Sequence, residues 1–164
     1  MRVLYLLRHA KSSWDDASLR DFDRPLKKRG RTAAERIGRE LAAEKPGDLL
    51  VVCSPAVRAR ETAQIVLKSA RIRSQELFDK RIYEASLGDL RQVVAELPDE
   101  KRSVILIGHN PGFEELLAFL TGRGMRVPTC TLAKIGFEAE SWKDVKTGAG
   151  TLERFVTPKG LAED

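Results

Sequence analysis

Two stretches decide how this chain folds: Val3-Leu4-Tyr5-Leu6-Leu7-Arg8-His9-Ala10-Lys11 and Val104-Ile105-Leu106-Ile107-Gly108-His109-Asn110-Pro111. Each is an unbroken apolar run followed at once by polar residues. Runs of this length without alternation read as strands buried on both faces. Each delivers a histidine at its end, and His9 and His109 are the only histidines in the sequence. In an open parallel sheet such strand ends lie on one edge, where ligands bind. Arg8 beside His9 marks that ligand as an anion.

Outward from these runs, apolar strands alternate with helical periodicity, the pattern of βαβ units. Residues 2–7 form the first strand. A long polar stretch runs from Ala10 to Leu26 and carries Trp14, Asp15, Arg20, Asp21, Asp23 and Arg24. Loops of this length inside a compact domain are usually functional or disordered. Ala33, Ala34, Ile37, Leu41 and Ala42 then trace one helical face, ended by Lys45-Pro46-Gly47. Residues 49–53 are the second strand, and a short strand is expected over 74–78. Ser86 with Asp89 forms a capping box that opens a helix. The strand at 103–107 precedes a helix that carries Phe113, Leu116, Leu117 and Leu120 inward and stops at Gly122. Residues 131–137 and 151–157 read as an antiparallel pair closing one edge. The expected fold class is α/β: three layers, a mostly parallel central sheet with helices on both faces, and an antiparallel edge, in one domain spanning 1–164.

The bulk composition narrows the function classes. The chain has 164 residues, with 29 Lys and Arg against 24 Asp and Glu, a formal net charge of +5. The charges are interspersed, so no nucleic-acid tail is indicated. Two cysteines are too few for a disulfide framework, and Cys53 sits in a strand as a small hydrophobe. No Cys/His cluster has metal-ligand spacing, so no cofactor or metal is implied. No segment approaches the ~20 apolar residues of a membrane span, and no signal peptide is evident. A cytoplasmic location follows as the expectation.

The chemistry converges on one edge. In Ser54-Pro55-Ala56-Val57-Arg58-Ala59-Arg60-Glu61-Thr62-Ala63, Ser54 reads as an N-cap with Pro55 at the first helical position. Arg58 then falls in the first turn and leans back toward the strand end. Helix N-termini favour anions, and a guanidinium adds a fork suited to phosphate. Arg8, His9, Arg58 and His109 together describe a pocket for a phosphoryl group. Arg60 faces solvent. Trp14 is expected to anchor the long loop on the core, the alternative being a docking residue for a partner. Arg20 and Arg24 are expected to make solvated loop salt bridges, the alternative being a reach toward substrate, and Trp142 is expected to pack. Asp15 would repel a phosphate and is left out of the site.

Arg8-His9-Ala10, the Ser54-Pro55-x-x-Arg58-Ala59-x-x-Thr62-Ala63 stretch and Gly108-His109-Asn110 resemble the motifs of the histidine phosphatase superfamily, with its phosphoglycerate-mutase-like fold. Arg8-His9-Ala10-Lys11, Asp23-Arg24-Pro25-Leu26-x-x-x-Gly30, the small size and the lack of a large cap insertion are most similar to the SixA-type phosphohistidine phosphatases. The resemblance implies that His9 attacks phosphorus and forms a phosphohistidine intermediate. Arg8, Arg58 and His109 bind the transferring oxygens, with His109 protonated in the complex, and water releases phosphate. Glu84, in Asp79-x-Arg81-Ile82-Tyr83-Glu84, is the candidate proton donor, or a surface carboxylate. The implied partner is a phosphorylated protein bearing phosphohistidine. The alternatives are a phosphatase or mutase of small phosphate esters, and a phosphate-binding module without turnover.

Overall fold

The apolar runs become the middle of a six-stranded sheet. The computed structural model describes residues 1–161. Its strands are β1 (Arg2–Arg8), β2 (Leu49–Cys53), β3 (Glu76–Phe78), β4 (Ser103–Gly108), β5 (Leu132–Phe137) and β6 (Thr151–Val156). They stand in the order β3-β2-β4-β1-β5-β6. The first four are mutually parallel, while β5 runs antiparallel to both β1 and β6. The helices are α1 (Lys28–Glu44), α2 (Val57–Ala70), α3 (Leu87–Ala95), α4 (Gly112–Thr121) and the short α5 (Pro158–Leu161).

Strand side chains alternate between two cores, as the period-two pleat requires. Tyr5, Leu7, Leu49, Val51, Ile105 and Ile107 meet Ile37 and Leu41 of α1 and Ala59, Ala63 and Val66 of α2. Leu4, Leu6, Leu50, Val52, Val104 and Leu106 meet Leu90 and Val94 of α3 and Phe113 and Leu117 of α4. Because both faces are covered, the strands can be apolar throughout, and this explains their unbroken runs. The result is the expected three-layer α/β arrangement with an antiparallel pair at one edge. Trp142 is fully buried, as expected, and donates its indole N–H to the Lys101 carbonyl at 2.8 Å. That bond satisfies the polar end of an otherwise apolar side chain.

Local signals act where they were read, with one exception. Ser86 and Asp89 form the full capping box of α3. Gly122 ends α4 at φ 73°, and Lys45 ends α1 in the left-handed region. The exception is α2. Its N-cap is Ala56, without a side-chain bond, and its first helical residue is Val57 rather than Pro55. Ser54 lies two residues before this N-cap; its hydroxyl accepts from the Ala56 N–H at 3.2 Å and is hydrogen-bonded to His109 as well.

The stretch between β1 and α1 is pinned at its base. Ser12 and Leu26 form an isolated antiparallel bridge. Ser13 N–H donates to the Pro25 carbonyl at 2.8 Å, and Lys27 N–H to the Lys11 carbonyl at 3.0 Å. Leu26 is buried and donates its N–H to Glu61 of α2 at 2.8 Å. Gly30 of α1 lies hard against this base. A Cβ there would overlap the Lys11 carbonyl oxygen and come within 2.9 Å of the Lys11 nitrogen. The obstacle is backbone, which cannot rotate aside. Gly30→Ala is therefore expected to lower the free energy of unfolding by about 1–3 kcal/mol. Urea unfolding of the two proteins measures it, and equal stability would contradict the packing argument.

Candidate active site

Strand register brings the two histidines together. In the parallel pairing of β1 with β4, Arg8 stands opposite Gly108. The next residues, His9 and His109, leave adjacent strands side by side, and their ring centroids are 5.1 Å apart. β2 flanks β4 on its other side, with Cys53 opposite Ile107. Ser54 therefore emerges beside His109. Three neighbouring strand ends thus supply Ser54, His109 and Arg8-His9, at the carboxyl edge where such sheets bind ligands.

His9 is held in one tautomer. Its Nδ1 lies 2.8 Å from the carbonyl oxygen of Ala10. A carbonyl only accepts, so Nδ1 carries the proton and Nε2 keeps its lone pair. Ala10 is itself fixed, since its N–H donates to Thr62 Oγ1 at 2.9 Å. The Thr62 hydroxyl donates in turn to the Arg58 carbonyl at 2.7 Å. Burial above all, with help from Arg58, Arg8 and Arg24, lowers the His9 pKa to about 4 against the opposing pull of the Ala10 bond. His9 is neutral at physiological pH, and its free nitrogen faces Arg58, whose Nε is 3.4 Å from Nε2.

His109 is neutral too. Burial, then the neighbouring His9 and Arg58, push its pKa down to about 3. Its Nε2 is hydrogen-bonded to Ser54 Oγ at 2.7 Å, while its Nδ1 is buried with no partner among the described residues. A hydroxyl can donate as well as accept. With the Ser54 O–H donating to Nε2, the single imidazole proton sits on Nδ1. A neutral His109 can then donate a hydrogen bond without the protonation expected of it.

Arg58 is oriented by a residue that the sequence reading passed over. Its Nη1 donates to the Asp21 carbonyl at 2.7 Å and its Nη2 to Asp21 Oδ2 at 3.0 Å. Asp21 also accepts from Arg24 Nη1 at 2.9 Å and from the Tyr83 hydroxyl at 2.7 Å. Partial burial works against ionisation of this carboxyl, but the bonds from Tyr83, Arg24 and Arg58 outweigh it and hold the pKa at about 2. The Tyr83 ring stands edge-on to His109. Arg8 is anchored through Nη1 to the Val127 carbonyl at 2.9 Å, and its Nε is buried without a partner among the described residues.

These residues border a cavity of about 280 Å³, lined by Arg8, His9, Lys11, Ser12, Trp14, Arg24, Arg58, His109, Asn110 and Thr129. Four of them are cationic, and none carries a carboxylate. The four expected residues Arg8, His9, Arg58 and His109 are therefore brought together. Glu84 is not: it is exposed, at φ 53°, and absent from the cavity wall. Asp15 is exposed and outside the cavity, as expected, and Arg60 is exposed. Arg20 is 80% exposed and paired with Asp23.

Two expectations for the long loop are corrected. Arg24 is no solvated loop residue. It is buried, bonded to Ser12 Oγ and to the Ser13 carbonyl as well as to Asp21, and it lines the cavity. Trp14 does not anchor on the core. It is 75% exposed, with the Arg24 guanidinium 3.3 Å from its ring centroid. The sequence signal for this arrangement was slight: Asp21 and Arg24 stand three residues apart, a spacing that favours a local ion pair.

Both imidazoles are held below their ordinary value of 6.5. Unfolding therefore takes up protons, and their contribution to stability is lost as pH falls below about 6.5 toward the folded values. Imidazole proton NMR is expected to show neither ring titrating between about pH 8 and pH 5.5. A midpoint near 6.5 for either ring would contradict the buried, neutral pair.

Known proteins place this geometry in a family. The model of the histidine phosphatase superfamily (branch 1) matches residues 4–115, which include all three motifs. An uncharacterized chloroplast protein of Arabidopsis thaliana is 33% identical over 96% of this chain and 78% of its own length. Among solved structures, a SixA-type protein of Agrobacterium tumefaciens superposes with a TM-score of 0.81 at 29% identity, covering 96% of this chain and 98% of that one. The protein histidine phosphatase SixA in complex with tungstate has the same fold, with a TM-score of 0.83 at 24% identity over 97% of this chain and 99% of that one. By its motifs, its fold and its sequence kinship, the chain belongs to the histidine phosphatase superfamily, branch 1.

Proposed function

We propose that this protein is a phosphatase that takes a phosphoryl group onto His9 Nε2 and then hydrolyses it, with phosphohistidine on a protein as its preferred substrate. The observation that carries the reading is the state of His9: neutral, with its proton committed to the Ala10 carbonyl and its lone pair turned toward Arg58 in a cationic cavity. A binding module needs the cations but not a nucleophile in that state.

The chemistry follows from the groups present. The Nε2 lone pair attacks phosphorus, and the bond to the carrier atom breaks with its electron pair leaving on that atom. Arg8, Arg58 and the His109 Nδ1–H donate to the equatorial oxygens, where negative charge is concentrated in the transfer. Water then attacks the phosphoryl group on His9. The P–N bond breaks back to Nε2, and the water proton leaves with phosphate or solvent. Throughout, the proton stays on Nδ1 and donates to the Ala10 carbonyl, which stabilises the positive ring of the phosphorylated imidazole.

The leaving group selects the substrate class. An alkoxide leaves poorly and needs a proton, whereas an imidazole that already carries a proton on its other nitrogen leaves as a neutral molecule. No carboxylate borders the cavity, and Glu84 is exposed and absent from its lining. That balance favours phosphohistidine over small phosphate esters. The SixA likeness, to a protein described as a protein histidine phosphatase, points the same way.

Incubation with a radiolabelled phosphohistidine peptide, stopped during turnover, is expected to trap a protein adduct that is acid-labile and base-stable. His9→Ala is expected to lose both the adduct and all but a trace of the turnover. Label retained in that variant, or an acid-stable adduct, would contradict the reading.

A further inference from the structure

An exposed tryptophan at the mouth of a phosphate cavity is costly, because a large apolar ring is left in water. Trp14 is in this position, and it is not loosely placed. One face of its ring is covered by the Arg24 guanidinium. Arg24 is itself buried and held by Asp21, Ser12 and the Ser13 carbonyl. The base of the loop is tied by the bonds of Ser13 to Pro25 and of Lys27 to Lys11. A rigid backing therefore presents the indole, which borders the same cavity as His9, Arg8 and Arg58.

We propose that Trp14, braced by Arg24, is the docking surface for the phosphate-bearing imidazole of a protein substrate. The inference rests on the phosphohistidine reading of the site and names the element that selects its leaving group. A phosphoryl group drawn to His9 Nε2 leaves its carrier at the cavity mouth, because Arg58 and His109 close the inner wall. The carrier is a flat ring, and a flat aromatic face waits beside it. Stacking favours such a pair, and it favours the ring most when its second nitrogen is protonated, because an indole face attracts a cation. That protonated form is the one whose P–N bond breaks to give a neutral imidazole. Trp14 would thereby support departure in a cavity whose wall offers no carboxylic acid. Charge matches as well: four cations and no carboxylate line the wall, which suits a phosphoryl dianion attached to a ring of low charge.

The test compares two N-phosphoryl donors, a phosphohistidine peptide and phosphoramidate, which has the same P–N bond but no ring. In Trp14→Ala the ratio of kcat/KM for the peptide to that for phosphoramidate is expected to fall about tenfold, and Trp14→Phe is expected to recover most of it. A ratio unaltered in Trp14→Ala overturns the inference, whether both activities persist or both decline together. Recovery by Phe separates stacking from a mere structural role, and a loss in Trp14→Phe as deep as in Trp14→Ala also overturns it. If the native protein hydrolyses phosphoramidate but leaves the peptide intact, the phosphohistidine reading fails and the inference fails with it. If the peptide is hydrolysed and the ratio is indifferent to Trp14, the inference alone fails.

Discussion

One hydrogen bond, from His9 Nδ1 to the Ala10 carbonyl, sets the character of the whole site. It leaves the lone pair on Nε2 and aims that atom at Arg58. The bond holds because the Ala10 peptide is clamped from its other side by Thr62 of α2. Thr62 in turn is tied to the carbonyl of Arg58, one turn earlier in the same helix. The nucleophile, its tautomer and its nearest guanidinium are therefore one connected assembly. The sheet supplies the rest, since the pairing of β1 with β4 makes His9 and His109 neighbours.

The second constraint is charge. Four cations around one cavity repel one another, and they add to the burial that keeps the two imidazoles among them neutral. Asp21 offsets part of that repulsion. Its carboxylate binds Arg24, Arg58 and Tyr83 from outside the cavity wall. Both terminal nitrogens of Arg58 are engaged there, so its remaining N–H turns toward His9. Neutralisation and orientation come from the same contact. A phosphoryl dianion entering the cavity would meet guanidiniums whose positions Asp21 and the Val127 carbonyl already fix, and fixed charge of this kind favours electrostatic stabilisation.

Much of this was legible in the sequence because it is written in local patterns. Unbroken apolar runs mark covered strands, and a polar residue directly after each run must lie at the sheet edge. His9 and His109 are placed by that rule, and Arg58 by its position in the first turn of the helix that follows the second strand. What was not legible depends on long-range pairing. Ser54 has the spacing of an N-cap and does accept the Ala56 N–H, but its hydroxyl also reaches His109, which lies 55 residues away in sequence. Arg24 looked like a solvated loop charge, and Asp21 carried no signal beyond its place in the loop. Only the return of the loop onto Lys11, Ser12 and Ser13 brings them under Arg58 and against the cavity. A loop tryptophan is ordinarily explained by burial, yet Trp14 is braced by a buried arginine instead. Glu84 followed from resemblance rather than from geometry, and it is the preceding Tyr83 that packs against His109 and bonds Asp21.

The central claim is that the Nε2 atom of His9 carries the phosphoryl group while Nδ1 keeps its proton on Ala10. Phosphorus NMR of the trapped phosphoprotein, combined with nitrogen-15 labelling of the imidazole, reads the bonded atom directly. The account predicts a single adduct with phosphorus coupled to Nε2 of His9. Phosphorus bonded to Nδ1, to His109 or to any oxygen would contradict it.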